Sequence, residues 1–357
     1  MNPLQTDFAG SFVEIDEAAI IKNLNYLKKK SARDQVMAVV KADAYGHGAV
    51  RISKLIENDV DQLAVATVDE GVQLRNAGIE TPILVFTVPG SNQGTAFREY
   101  RLEATISDFS HFDYLEKGTG YQLNFDTGMK RIGFYPNQVA EVKEKMQKYD
   151  HLSFRGLYSH YATADDPGSE FVESQMNSFK KIRSCFPSDV PAHMSNTSAI
   201  LHYDIDHFDM IRPGIGLFGY APGKVQSDIL IPVMSWKTRV VLIRDIKRGE
   251  RVSYGGTWVA PDDGFIATLP VGYGDGVPRS LSNKLKVEIE GELYPVTGAI
   301  TMDHCMVYLG THKVRNGASV ELMGGQSWLA NTWAEKAQTI THEILCRLTP
   351  RVRREYQ

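Results

Sequence analysis

Cysteine is scarce. Cys185, Cys305 and Cys346 stand far apart and odd in number, with neither the close pairs of a zinc site nor the even set of a disulfide framework. That pattern suits a reducing compartment. Long apolar runs are missing as well. No stretch approaches about 18 uninterrupted apolar residues, and the amino terminus MNPLQTDFAG has neither the basic segment nor the apolar core of a leader. We therefore expect a soluble cytoplasmic chain with no membrane span. No sign of charge dominates: the formal net charge is -4, which gives no electrostatic footprint for nucleic acid. The Lys28 to Lys30 run reads most simply as the solvated end of a helix. The partner should be a small molecule.

What is present is periodic. Short apolar runs recur at Val36 to Val40, Leu63 to Ala66, Ile83 to Phe86, Ala104 to Ile106, Tyr121 to Phe125, Phe154 to Tyr158, Ala192 to Met194 and Met210 to Ile211. Helix-like stretches such as Ile52 to Asn58, Asp69 to Asn76, Pro136 to Tyr149 and Glu170 to Cys185 lie between them. Eight strands alternating with helices predict an α/β fold, a (β/α)8 barrel. An open doubly wound sheet would use fewer strands for this length. After about Asp228 the runs at Trp236 to Ile243, Phe265 to Val271, Leu285 to Glu290, Leu293 to Val296, Met306 to Leu309 and Ser319 to Leu322 follow one another without helices. Glycines punctuate them as turn residues would. This predicts two domains, a barrel over 1–228 and a mostly β domain over 229–357, with a short helix near Thr332 to Leu345.

Strand ends of parallel sheets hold ligands. Lys41 follows the solid run Val36 to Val40 and precedes Tyr45 and two glycines, a position suited to an amine that forms a Schiff base, although a strand-capping lysine that snorkels to solvent also fits. The glycines Gly214, Gly216 and Gly219 match G-x-G-x-x-G formally, but Ala221-Pro-Gly follows and breaks the helix a dinucleotide site needs. Close backbone approach to a phosphate beyond the eighth strand explains them better. Asn196 and Thr197, after the seventh strand, supply the other half of that cradle or simply cap a helix. His160 and Arg212 follow the sixth and eighth strands at the same mouth, and Arg131 after the fifth offers a fork for a carboxylate. The cluster His202 to Asp209 alternates faces and cannot easily aim several ligands at one ion, so no metal is expected. Tyr254, before two glycines, reads alone as an ordinary strand-end aromatic.

Together these segments resemble the alanine racemase family from about Phe12 to Tyr356. The resemblance is carried by Val-Val-Lys41-Ala-Asp-Ala-Tyr45-Gly-His-Gly, Asp-Thr-Gly-Met-Lys-Arg131, Ser-His160-Tyr-Ala, Ser-Asn196-Thr197, Arg212-Pro-Gly-Ile-Gly-Leu, Val-Ser-Tyr254-Gly, Gly-Tyr273-Gly-Asp-Gly and Met302-Asp. It implies a pyridoxal 5'-phosphate enzyme that interconverts L-alanine and D-alanine for peptidoglycan, with Lys41 holding the cofactor as an imine. It further implies that Tyr45, Asn196, Thr197, Gly214 and Ile215 surround the phosphate, that Arg212 faces the pyridine nitrogen and that a chain runs from Tyr254 through His160 to Arg212. Arg131 takes the substrate carboxylate, with Tyr273 and Met302 at the substrate. In a homodimer with shared sites, Tyr254 and Met302 reach across from the partner. Racemisation needs a base on each face of Cα, and Lys41 and Tyr254 fit.

The chain departs from the family pattern in places. Asn124 stands where many members carry a carbamylated lysine that braces the carboxylate-binding arginine, so another anion or a water is expected to support Arg131. Pro350 replaces a phosphate-binding tyrosine of some members, and Ala299 and Thr301 replace the arginine and cysteine common before the Met-Asp pair. These bear on substrate range, and a serine or broad-specificity amino acid racemase is the alternative. A barrel decarboxylase should carry an acid in place of Arg212. A non-catalytic pyridoxal-phosphate-binding protein should have the barrel alone.

Overall fold

In the computed structural model residues 10–223, 229–325 and 328–357 are described. The boundary expected at 228 falls on residues 224–228, outside the described residues, as do residues 1–9, which were read for a leader. The chain divides into two compact units, Ala19–Ile231 and a second one that joins Met1–Ala18 to Pro232–Gln357.

The first unit is the expected barrel. Its strands are β1 (Met37–Val39), β2 (Gln62–Val65), β3 (Ile83–Val85), β4 (Leu102–Ile106), β5 (Gly120–Asn124), β6 (Ser153–Tyr158), β7 (Ala192–Asn196) and β8 (Met210–Arg212). Each pairs in parallel with the next. The sheet closes where Val36 bridges Ile211 and the Val39 amide donates to the Pro213 carbonyl at 2.9 Å. The outer helices bury one stripe each. In Glu170–Arg183 the stripe is Val172, Met176, Phe179 and Ile182, at helical spacing, while the charged residues keep to the other face. Burying Phe179 alone contributes roughly 1.5–3 kcal/mol. The helix Val68–Asn76 begins with a capping box between Thr67 and Glu70.

The barrel interior is less apolar than its strands suggest. Gln62 on β2 bonds Glu103 on β4, Gln122 on β5 bonds His193 on β7, and Thr105 on β4 bonds Tyr158 on β6. Strands that are not neighbours in the sheet can meet only through the middle of the barrel, so these side chains fill it.

The second unit is built on a six-stranded sheet in the order Glu292–Pro295, Lys286–Ile289, Ser319–Met323, Met234–Arg239, Ser11–Ile15, Arg353–Tyr356. A three-stranded sheet of Leu242–Ile246, Gly264–Leu269 and Cys305–Gly310 accompanies it. Alternating burial along Met234–Arg239 and Cys305–Gly310 is the period-two pattern of strands with one face in a core. The expected division at 228/229 misses one element, since Ser11–Ile15 pairs with Met234–Arg239 and Arg353–Tyr356 and so belongs to this sheet. The single helix expected over 332–345 is two, Ala330–Ala337 and Thr341–Cys346, parted by Gln338 in the left-handed region. No helix among the described residues is long and apolar enough to cross a membrane.

Candidate active site

Past β1 the chain winds the wrong way. Ala42, Asp43, Ala44 and Tyr45 have φ of 53°, 53°, 52° and 53°, a left-handed turn that Gly46 and Gly48 complete. Each such non-glycine residue costs roughly 1–2 kcal/mol, or about 4–8 kcal/mol for four. Local bonds offset part of this. Ala44 N–H donates to Val40 at 2.9 Å, Gly46 N–H to Ala42 at 3.0 Å and Gly48 N–H to Asp43 at 2.9 Å. Glu70, from the capping box, accepts the Ala42 amide at 2.7 Å, and the Tyr45 and His47 rings pack on Phe218 at 5.4 and 4.2 Å. The turn carries the chain from Lys41, just past the end of β1, to Tyr45. Lys41 is half-buried, its Nζ 5.9 Å from the Phe86 ring.

Arg212 ends β8 and is buried. Its Nη1 donates to His193 Nδ1 at 2.8 Å, and its Nη2 to Ser159 O at 2.7 Å, Met194 O at 3.0 Å and His160 Nδ1 at 3.2 Å. Among the described residues none accepts from its Nε–H, which remains as a donor. Burial pulls the guanidinium down to about 10, still charged at neutral pH. A guanidinium only donates, so each histidine meets it with a bare Nδ1 and carries its proton on Nε2. Burial, then the charges of Arg212, Arg131 and Lys41, hold His160 well below its ordinary value, and it is neutral. Arg131 itself is exposed, on a loop pinned where Asp126 accepts the amides of Gly128 at 2.8 Å and Lys130 at 3.1 Å.

The phosphate-like cradle lies beside Tyr45. Asn196 caps the short helix Thr197–His202 by accepting the Ala199 amide at 3.0 Å, so the bland reading of that residue is correct as far as it goes. Thr197 does something else. Its hydroxyl accepts the amides of Gly214 at 3.1 Å and Gly216 at 3.2 Å, which uses both lone pairs and leaves its own proton to donate. A Cβ on Gly214 would overlap the Tyr45 hydroxyl, and one on Gly216 would sit 2.7 Å from Thr197 Cγ2. Ile215 is buried between them. Asn124 is buried too. Its Oδ1 has no partner among the described residues, and burial pushes the nearby Tyr158 hydroxyl up to about 12.

Tyr254, Tyr273 and Met302 belong to the second unit. They are 76%, 39% and 52% exposed. Their loops are tied together: Tyr273 N–H donates to Thr301 O at 3.0 Å, Gly274 N–H to Met302 O at 2.9 Å, and Ser253 Oγ to Ala299 O at 2.7 Å. In the His202 to Asp209 cluster the side chains turn to separate partners, His207 to Ser195, His202 to Pro222 and Asp209 to the Ala192 amide.

Family comparison agrees along the whole chain. Residues 15–222 match the family described as alanine racemase, N-terminal domain, and residues 233–356 match alanine racemase, C-terminal domain. The chain belongs to the alanine racemase family. It is similar to the alanine racemase of Symbiobacterium thermophilum, at 36% identity over 97% of each chain. It is 38% identical to that of Synechocystis over 94% of this chain and 96% of the relative. Among solved structures, alanine racemase of Clostridium difficile 630 superposes with a TM-score of 0.91 at 32% identity, covering 99% of this chain and 97% of that one. Alanine racemase from Bacillus anthracis with bound L-Ala-P also gives 0.91, at 30% identity, covering 99% of this chain and 96% of that one. Both domains match, which separates this chain from barrel-only binding proteins.

Alanine racemases use pyridoxal 5'-phosphate, and the residues present fit it. A phosphate can be held by neutral donors over open backbone, and Thr197, Tyr45 and the Cβ-free Gly214 offer that without a lysine. Gly214→Ala should therefore weaken cofactor binding at least about ten-fold, because the Tyr45 hydroxyl must give way. Fluorescence titration of apoenzyme with the cofactor measures it, and unchanged affinity would place the phosphate elsewhere. The sequence alone did not single out Glu103, Gln62, Gln122, Tyr158 or His193. The available signal was polar residues at period two inside apolar strands, as in Glu103 and Thr105 or Gln122 and Asn124.

Proposed function

We propose that Lys41 and Tyr254 are the two bases that exchange the Cα proton of alanine, one on each face, in a homodimer whose sites are shared. Pyridoxal 5'-phosphate, bound through its aldehyde carbon to an amine, withdraws electrons from Cα and makes its proton acidic. The chain's own residues do the rest. Tyr45, Asn196, Thr197, Gly214 and Ile215 would hold the phosphate, and Arg131 would clamp the substrate carboxylate by its fork. Lys41 takes or gives the proton on its side.

A free tyrosine titrates near pH 10 and is a poor base at neutrality. Neutral His160 offers Nε2–H, backed by the charge of Arg212, and a hydrogen bond from that N–H favours the phenolate of Tyr254. The exposure of Tyr254 and Met302 on their own unit suits residues that complete the site of a second copy. Met302 and Tyr273 would then crowd the space beyond the substrate methyl.

Arg212 is the observation that carries this reading. Its buried Nη groups are committed to the two histidines, and its Nε–H is the donor left for a ring nitrogen. A guanidinium does not surrender its proton, so Arg212 would leave a bound cofactor ring a weaker electron sink, and the bases on the two faces of Cα would carry the exchange. Simple proton exchange follows. We place this activity in the cytoplasm, supplying D-alanine for peptidoglycan.

Borohydride reduction of the holoenzyme followed by peptide mapping should find the pyridoxyl group on Lys41. Recovery mainly on Lys22, Lys54 or Lys130 would sink the assignment. Chiral chromatography with L-alanine, L-serine and L-lysine separates an alanine enzyme from the serine or broad-specificity alternative.

A further inference from the structure

Below Arg212 a line of polar side chains descends through the barrel. His193 Nε2 lies 2.7 Å from Gln122 Oε1, Gln122 Nε2 donates to Glu103 Oε2 at 2.7 Å, and Gln62 Nε2 donates to the same oxygen at 2.7 Å. Gln62 Oε1 accepts the Gln122 amide as well, at 3.2 Å. Glu103 is partly buried on β4, while Gln122 and His193 are buried. The fold makes room for the line. A Cβ on Gly156 would come within 3.1 Å of Gln122 Oε1.

We propose that Glu103 is a positioning residue for Arg212, acting through Gln122 and His193. The argument follows donors and acceptors alone. A carboxylate only accepts, so Gln122 must turn its NH2 toward Glu103 and its carbonyl toward His193. That carbonyl also only accepts, so His193 must carry its proton on Nε2. Its Nδ1 is then bare and accepts from Arg212. With the amide reversed, His193 would take its proton on Nδ1 and face the guanidinium donor to donor. The ring plane is fixed by stacking on Tyr158, at 5.2 Å and 8°, and the Gln122 carbonyl joins the Arg212 guanidinium in selecting the Nε2–H tautomer. Burial and the Arg212 charge hold His193 neutral, so a tautomer is what it has. Burial also raises the Glu103 carboxyl. Since Oε2 accepts two N–H bonds, any proton taken up goes to Oε1 and the sense of the line is unchanged.

For catalysis the inference rests on Arg212 facing the cofactor ring, and the test separates the two. In histidine-labelled holoenzyme, long-range 1H–15N spectra should show His193 protonated at Nε2, the signal being assigned by its loss in His193→Asn. Glu103→Leu removes the anchor, and a substantial Nδ1–H population should appear. Glu103→Gln keeps an acceptor carbonyl and should restore the original tautomer. Gln122→Met, with Glu103 intact, should disturb it as Glu103→Leu does and stands in if that variant does not fold. In Glu103→Leu kcat should fall about ten-fold with KM little changed, the size of one weakened charge-assisted hydrogen bond. Retention of the Nε2–H tautomer in Glu103→Leu and Gln122→Met overturns the proposal. A shifted tautomer with unchanged cofactor absorbance and side transamination upholds the relay and overturns the placement of Arg212 at the ring.

Discussion

Mixing Lys41→Ala chains with Tyr254→Phe chains should restore about a quarter of wild-type activity, although each variant alone should lose roughly 10²–10⁴-fold as expected for a missing acid–base group. Random pairing makes about half the dimers mixed, and each mixed dimer has one site lacking both bases and one with both intact. The effect depends on Tyr254 entering the partner's site, as its 76% exposure on the second unit led us to propose. Exchange is verified first with differently tagged chains. Verified mixed dimers no more active than the parents would mean that Tyr254 serves its own chain or is not the second base.

Arg212→Glu should cut kcat by roughly 10²–10³, the usual loss for one preorganised charged donor, and should raise the fraction of turnovers ending in transamination. A carboxylic acid can share its proton with a ring nitrogen where arginine cannot. The electron sink then strengthens and charge at Cα lives longer. His193 and His160 would also lose the donor that fills their Nδ1 positions, so loading and thermal melting must be measured alongside. An unchanged transamination fraction in loaded enzyme would show that Arg212 does not face the ring.

The barrel strands were legible because strands of a parallel sheet are buried on both faces and show as apolar runs, as Val36 to Val40 does around β1. The strand Ser11–Ile15 was not, since its pairing partners lie at the far end of the chain and no local signal names them. Gln338 gave no warning that it would split the last helical region, because its left-handed φ is set by how the two helices end. The candidate site residues Lys41, His160, Arg131, Asn196, Thr197, Arg212 and Gly214 could be named because each lies at or after a strand end. Glu103 and Gln122 could not, for they sit inside strands and matter through what they touch across the barrel. The handedness of the Ala42 to Tyr45 turn was hidden as well, because alanine and aspartate do not announce positive φ.

That turn makes the loop brittle in length and lenient in composition. Glycine at Ala42, Asp43 or Ala44 would meet no steric objection to φ near 53°, and asparagine little. Inserting or deleting one residue between Lys41 and Gly46 is a different matter. A left-handed spiral cannot lengthen or shorten by one unit and still return the chain to the same heading, so the spacing of the Lys41 amine from the Tyr45 hydroxyl would be lost at a stroke. Descent with variation should therefore substitute at Ala42 and Ala44 while keeping Tyr45 and never changing the count.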